Sequence, residues 1–414
     1  MHTSKHKQSK VRNAFIARLV VLAFIIAIVL LGLYVSRPPQ SPQPYVDQLS
    51  SVAQPARTYK VVNKQIIVSQ PKKPDATFVP YGVQLEGILM AQPNWATDGA
   101  LTHLTRSQVQ AAHDFWHANT VSLQLSSKAL LAQSPYDSSY LQQVDNVVIW
   151  TTELHMNIII VLQYEGAGNS NQLMPTQDSI RFWNILAQRY ANNRNVFFDL
   201  FNEPQPAVVL HHNSDDAAAW NFWQHGGNVA GQQYVGMQQL VDTIRQHGFH
   251  NLLFIDGAAA GEDIQQLPQH TLTGSNLVYA IHPYPGKQQH GSPQAWDQWF
   301  GNATVKGNVP VVADEWSLYQ DQYKFNASSD ACFPDAASIA AQMLAYLHTR
   351  QIGLIGYALY PGTLIRGWNF TNPTSFSYSP ESCPIISNAD NDTDAQGVGS
   401  MLRQYFATYN TYNF

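Results

Sequence analysis

Asn195-Val196-Phe197-Phe198-Asp199-Leu200-Phe201-Asn202-Glu203-Pro204 is the stretch from which the fold follows. Its apolar run, rich in aromatic and β-branched residues, reads as a buried strand. It ends at a polar pair, Asn202-Glu203, followed by a proline that cannot continue a ladder. A carboxylate at the end of a buried strand is poorly solvated, so its pKa is expected to rise. Further on, Val309-Pro310-Val311-Val312-Ala313-Asp314-Glu315-Trp316 repeats the design: a short apolar strand closing on a carboxylate. Two carboxylates at two strand ends are the minimum equipment for cleaving a glycosidic bond.

Working outward, strand-like and helix-like segments alternate from Val79 on. The strand candidates are Tyr81–Leu85, Thr120–Leu125, Ile158–Gln163, Val196–Phe201, Leu252–Asp256, Leu277–His282, Val309–Asp314 and Leu354–Leu359. Between them lie helix candidates: Gln108–His117 behind Thr105, a helix capped by Asp137, Ser179–Ala191, Gln232–His247 stopping at Gly248, Asp335–His348 and Val398–Ala407. Eight strands alternating with helices predict a (β/α)8 barrel. An open doubly wound sheet is the runner-up. Gly82-Val83-Gln84-Leu85-Glu86-Gly87 lacks the glycine spacing that such a sheet uses for phosphates. Tyr59–Val68 alternates weakly and predicts a short hairpin closing one end of the domain.

The chain has 414 residues, of which 45% are apolar and 12% charged, with ten Trp and twenty Tyr. Charged residues are about half the usual quarter. A neutral polar surface with many aromatics suits an exported protein handling uncharged polar ligands. The net charge of −5, with no basic patch outside the N-terminus, gives no hint of nucleic acid.

Residues 1–13 carry Lys5, Lys7, Lys10 and Arg12 and read as a cytoplasmic basic segment. Residues 14–35 are apolar except for Arg18, long enough to span a bilayer, and no small-x-small cleavage site follows. This reads as an uncleaved transmembrane signal anchor, the alternative being a signal peptide cleaved on secretion. Residues 36–58 are a linker rich in Pro, Gln and Ser, and residues 59–414 form the folded domain, outside the cell.

In barrels of this kind catalytic groups sit at the C-terminal ends of strands. Those ends carry Asn202-Glu203 (strand four), His282-Pro283-Tyr284 (strand six) and Asp314-Glu315-Trp316 (strand seven), with Tyr360 and Trp368 near strand eight. Sugars need this mixture of acid, nucleophile, hydrogen-bonding groups and flat apolar faces. With Phe198–Pro204, Tyr279–Tyr284 and Pro310–Trp316 in this order, the chain resembles the family 5 glycoside hydrolases, the cellulase-like family of clan A, over about residues 60–408. The resemblance implies that Glu203 is the acid/base and Glu315 the nucleophile. It implies that Asn202 holds the sugar 2-hydroxyl, that His282 and Tyr284 line the subsite at the scissile bond, and that Tyr284 touches Glu315. Trp316, Tyr360 and Trp368 are the candidate aromatic platforms. Two departures stand out. Ser122, in Asn119-Thr120-Val121-Ser122, occupies the place of the arginine usual on strand two. Gln163-Tyr164-Glu165 stands where a histidine is frequent after strand three.

The expected activity is therefore retaining hydrolysis of a β-linked polysaccharide or oligosaccharide, endo-β-glucanase-like, by a monomer. The alternatives are a β-mannanase-type hydrolase and a catalytically silent glycan-binding barrel. No cofactor or metal is expected: Asp390-Asn391-Asp392-Thr393-Asp394 has the spaced acids of a calcium loop but Ala395 and Met401 at its glycine and glutamate positions. Cys332 and Cys383, the two cysteines, fall in the loops after strands seven and eight of an exported domain and are expected to pair. In the chain-entropy model, closing that loop stabilises by about 4 kcal/mol. For the anchor, the protein is expected to fractionate with membranes while its folded domain is cleaved by external protease. A mature N-terminus near residue 36 in the culture medium would contradict the uncleaved segment.

Overall fold

In the computed structural model of the protein, the described residues are 49, 52–85, 104–165, 172–213, 216–284, 291–317, 336–361, 363–375 and 398–411. The expected membrane segment 14–35, Cys332, Cys383 and the acidic run 390–394 lie outside them. No helix among the described residues is long and apolar enough to cross a membrane.

In chain order the strands are β1 (Thr58–Val62), β2 (Gln65–Ser69), β3 (Ala76–Thr77), β4 (Tyr81–Leu85), β5 (Thr120–Ser126), β6 (Asn157–Tyr164), β7 (Val196–Asp199), β8 (Gly226–Val229), β9 (Gln232–Val235), β10 (Leu253–Asp256), β11 (Leu277–Ile281), β12 (Val311–Trp316) and β13 (Gly353–Gly356). Eight of them, β4, β5, β6, β7, β10, β11, β12 and β13, pair in parallel and in that order, and β13 returns to β4 to close a barrel. These are the eight strands predicted from the sequence. The architecture is consistent with a (β/α)8 barrel.

Helices cover the outside: α1 (Arg106–Asp114), α2 (Ser138–Glu153), α3 (Gln177–Tyr190), α4 (Met237–Gln246), α5 (Ala336–Thr349) and α6 (Gly399–Tyr409). Asp137 caps α2 by accepting the amides of Ser139 and Tyr140, as its sequence position predicts. The predicted helix Gln232–His247 is shorter than expected. Its first residues form β9, paired antiparallel with β8, and α4 starts only after Gly236. The reversal between those strands is Ala230-Gly231, both with positive φ (50° and 87°), a turn that matches strand twist without the usual Asn-Gly signature. After β10 the chain makes only a 3-10 turn, Leu267–Gln269, before β11.

The outward residues of the barrel strands pack under the helices. Phe198 stacks on Phe249 with ring centroids 4.0 Å apart and lies 4.8 Å from Trp183 of α3, whose indole N–H donates to Leu200 O at 2.9 Å. The inward residues of the lower barrel are also apolar: Ile159, Val161, Phe197, Phe254, Val278, Ala280, Val312 and Ile355 form one cluster with Tyr59, Ile66, Val68 and Phe78. The β1–β2 hairpin is thus the plug of the barrel's N-terminal end, as the weak alternation predicted. The Tyr59 ring meets Phe197 edge-on at 4.9 Å, and its hydroxyl donates to Asn157 Oδ1 at 2.9 Å. At Gly82 the interior has no room for a side chain: a Cβ there would come within 2.5 Å of Ile355 Cδ1 and 2.6 Å of Thr120 O. Phe197→Ala would open a cavity at the centre of this cluster and is expected to cost about 3–5 kcal/mol, read as a lower denaturation midpoint. An unchanged midpoint would mean that the plug contributes no packing.

Candidate active site

Along a strand, inward residues recur every second position, so the residue two beyond an inward apolar one also faces inward. Applied to the upper half of the barrel, this rule turns the interior from apolar to polar. Phe197 is followed by Asp199, Phe254 by Asp256, Ala280 by His282 and Val312 by Asp314. All four polar side chains are buried, His282 at 1% exposure and Asp256 at 0%. Ser122 and Gln124 of β5 continue this layer, with Gln124 Nε2 donating to Ser122 Oγ at 3.3 Å.

Glu315 should point away from the interior by the same rule. It does not, because the pairing of β12 with β13 shifts register between Ala313 and Trp316. An irregularity of this kind re-aims side chains, and here consecutive residues both reach His282. Asp314 Oδ1 lies 3.4 Å from Nε2 and Glu315 Oε1 lies 4.0 Å from Nδ1. Glu203 is placed by a different device. Its backbone is left-handed, with φ of 52°, a conformation costing a non-glycine residue about 1–3 kcal/mol. The turn is held by its own amide, which donates to Asp256 Oδ2 at 2.7 Å, and by Ala260 N, which donates to Pro204 O at 3.1 Å. Asp256 is itself fixed by Trp223, whose indole N–H donates to its carbonyl at 3.0 Å.

His282 sits at the centre. Its Nδ1 is 3.2 Å from Glu203 Oε1, its Nε2 is 3.5 Å from Asp256 Oδ2, and its amide donates to Gly261 O at 2.8 Å. Gly261, with φ of 71°, backs the ring so closely that a Cβ would come within 2.9 Å of His282 Cγ. Tyr284 is fully buried and its hydroxyl donates to Glu315 Oε1 at 2.6 Å.

The electrostatics follow from burial. Asp199 is pushed well above the ordinary carboxylate range, first by burial and then by the charge of Asp314. Asp314 rises to about 6, again first by burial. Burial raises Asp256 as well, opposed by His282 and the Glu203 amide. Burial alone would lower His282, but Asp256, then Glu315, Asp314 and Glu203, raise it well above the ordinary imidazole value. The two directions are linked: an ionised Asp256 favours the imidazolium, and the amide donating to Asp256 favours the ionised carboxylate. Tyr284 is raised well above the usual phenol, by burial and then by Glu315, so it is a donor to that carboxylate.

The residues expected from the sequence are mostly brought together. Glu203, His282, Tyr284 and Glu315 form one connected group, with Asn202 buried next to Glu203 at 6% exposure. Tyr360 and Trp368 are half-buried and meet edge-on at 5.2 Å. Trp316 is fully buried in the hydrophobic core. Glu165 is buried as a helix cap, accepting from the amides of Thr176 and Ser179 and from both their hydroxyls at the start of α3. The reading of strand ends missed Asp256 and the pairing of Asp199 with Asp314. The every-second-residue rule, carried up from Phe254, Phe197 and Val312, would have found all three. It also missed Tyr357, half-exposed directly after β13 and electrostatically linked to Tyr284. The predicted strand Leu354–Leu359 runs through that position.

Two sets, Glu203–His282–Glu315 and Asp256–His282–Asp314, bring potential metal-ligand atoms within 4.8 Å of one another. In both, the imidazole nitrogen approaches carboxylate oxygens at hydrogen-bonding or ion-pair range, and no ion is needed to account for the approach. The group can deliver a proton from one carboxyl and a nucleophile from another across a small gap.

A family model described as cellulase (glycosyl hydrolase family 5) matches residues 77–362. Among solved structures, a beta-glucanase from Saccharophagus degradans superposes with a TM-score of 0.62 at 18% identity, over 89% of this chain and 98% of that one. Its complex with cellotetraose gives 0.62 at 16% identity over the same shares, 89% and 98%. An endocellulase from Pyrococcus horikoshii, in complex with cellotetraose, gives 0.57 at 15% identity, over 77% and 96%. At these identities the likeness to the solved structures is one of fold. Tyr284→Phe removes a hydrogen bond to a charged group, about 1.5–3 kcal/mol. It is expected to lower kcat on a glycoside by about 10- to 100-fold with little change in KM. Unchanged turnover would show that Glu315 is held from elsewhere.

Proposed function

The chain belongs to glycosyl hydrolase family 5 and is a glycoside hydrolase, and from that premise we propose that it is a retaining β-glycosidase of the endo-β-glucanase type, acting on a β-linked polysaccharide. One observation carries the retaining mechanism: a carboxylate oxygen of Glu203 and one of Glu315 lie within 4.8 Å of each other. Retaining enzymes hold their carboxyls about 5–5.5 Å apart, inverting enzymes about 6.5–9.5 Å, because only the latter must fit a water behind the sugar.

On this reading Glu315, bonded to the Tyr284 hydroxyl, attacks the anomeric carbon. Glu203, its side chain 23% exposed towards the cleft, protonates the departing glycosidic oxygen. A glycosyl ester on Glu315 results. Glu203, now ionised, takes a proton from water, the water oxygen attacks the anomeric carbon, and the ester bond breaks to return the Glu315 carboxylate. Asn202 holds the sugar 2-hydroxyl, and His282 and Tyr284 line the subsite at the scissile bond. Tyr357, Tyr360 and Trp368 offer flat faces at the strand-eight rim. The glucan preference draws on the cellotetraose bound by two of the structural relatives. The domain works outside the cell on the tether of residues 14–58, a reading supported by the uncharged run Leu19–Val35.

The test combines variants with stereochemistry. Glu315→Ala is expected to lose activity even on substrates with good leaving groups. Glu203→Ala is expected to be glycosylated by such substrates, which need no acid, and to turn over faster with azide. A panel of β-glucans, mannan and xylan reads the substrate, and a preference for mannan would replace the glucan assignment. NMR of the first product showing the inverted anomer would overturn the mechanism.

A further inference from the structure

We propose that Asp256 and Asp314 are positioning residues that hold His282 as an imidazolium, and that this cation serves Glu315 and Glu203 in turn during the reaction. The proposal rests on the reading of those two glutamates as nucleophile and acid/base. It stands on how the ring is surrounded. Nδ1 faces Glu203 Oε1 at 3.2 Å and Glu315 Oε1 at 4.0 Å. Nε2 faces Asp314 Oδ1 at 3.4 Å and Asp256 Oδ2 at 3.5 Å. A neutral imidazole has one N–H and one lone pair. Either tautomer would therefore turn a lone pair towards carboxylate oxygens wherever those are ionised, and the ring itself is only 1% exposed. Two N–H groups resolve both sides at once.

The carboxyls on the Nε2 side are arranged to be acceptors. Asp256 Oδ2 receives the Glu203 amide at 2.7 Å, and this bond and the charged ring favour its ionised form against burial and the charge of Asp199, which raise it. Burial raises both Asp199 and Asp314, but Asp199 well above the carboxylate range and Asp314 only to about 6, so Asp314 is the ionised partner of the two. The titratable groups facing the ring are thus Glu203 from the loop after β7, Asp256 from β10, and Asp314 and Glu315 from β12. Asp199 of β7 interacts with Asp314, with Asp256 and with the ring. His282 itself is shifted in the direction this arrangement requires.

The consequence for the reaction is a transfer of one charge interaction between two partners. In the free enzyme the Tyr284 hydroxyl, at 2.6 Å, and the imidazolium, at 4.0 Å, both favour the Glu315 carboxylate. On the functional reading it is the charge of Glu315 that leaves the proton of the pair on Glu203, although the cation lies nearer to Glu203. When the ester forms, Glu315 loses its charge and Glu203 has given its proton to the leaving group. The same imidazolium, 3.2 Å away, then favours the Glu203 carboxylate, which is the base of the second step.

The direct test is protonation-state NMR on the full chain labelled with nitrogen-15 at histidine. Two-bond proton–nitrogen spectra separate the imidazolium from either neutral tautomer, and the His282 signals are those missing from His282→Gln. They are expected to keep the imidazolium pattern at about pH 8, above the ordinary imidazole value of about 6.5. A neutral tautomer at about pH 7 in the unaltered protein overturns the proposal, and needs no variant to fold. Asp256→Asn keeps an oxygen for the Glu203 amide but loses the charge. Its His282 midpoint is expected to fall by about one unit or more, with kcat lowered and KM little changed. An unmoved midpoint in a folded Asp256→Asn overturns the assignment to Asp256. The spectra do not depend on turnover. A neutral His282 in an enzyme that hydrolyses with retention sinks this proposal alone, and an imidazolium in a protein that cleaves no glycan sinks the functional reading alone.

Discussion

A closed ring of eight parallel strands has an inside that no helix can cover, and every side chain on one face of every strand must be accommodated there. In this protein the constraint is met in two ways along one axis. Below, Phe197, Phe254, Val278, Val312 and Ile355 fill the ring, and the β1–β2 hairpin stoppers it with Tyr59 and Phe78. Above, the same faces carry Asp199, Asp256, His282 and Asp314. The apolar lower layer supplies packing and the polar upper layer stores charge out of water. The second is tolerable because the buried acids lie against a backbone amide or the imidazole, and burial drives Asp199 towards its neutral form.

The glutamates depend on that layer more than on their own strands. Glu203 keeps a backbone conformation that a non-glycine residue avoids, and its amide is held by Asp256. Glu315 faces the centre because β12 breaks register beside it. Regular strand geometry alone would have placed neither side chain correctly. Site geometry and local strain therefore coincide, while Phe197, Phe254 and the hairpin below pack as one apolar cluster.

Much of this was legible in the sequence. The eight strands could be read because each is a short apolar run closed by turn or polar residues, and Asn202-Glu203, His282 and Glu315 could be read because they sit where such runs stop. What escaped the reading depends on register. Asp199 and Asp314 look like ordinary members of their motifs until the inward parity of Phe197 and Val312 is known. Asp256 looks like a polar strand end. The shift in β12 has no sequence mark, since Asp314-Glu315 reads equally well with either residue facing in. Ala230-Gly231 turns a hairpin with a residue not usually chosen for positive φ, so the start of α4 was placed too early. Tyr357 was hidden inside a strand that ends sooner than its apolar run.

The close backing of His282 by Gly261 has a kinetic meaning. Backbone lies against the ring, with no room even for a methyl group between them, and so hinders its turning over. Its two nitrogens keep separate neighbourhoods for the life of the fold: Nδ1 belongs to the glutamates at the cleft and Nε2 to the aspartates in the interior. A ring free to rotate could ferry protons between the two. A ring held in one orientation keeps a fixed set of neighbours on each nitrogen, so the contacts that set its charge come from the same four carboxyls throughout.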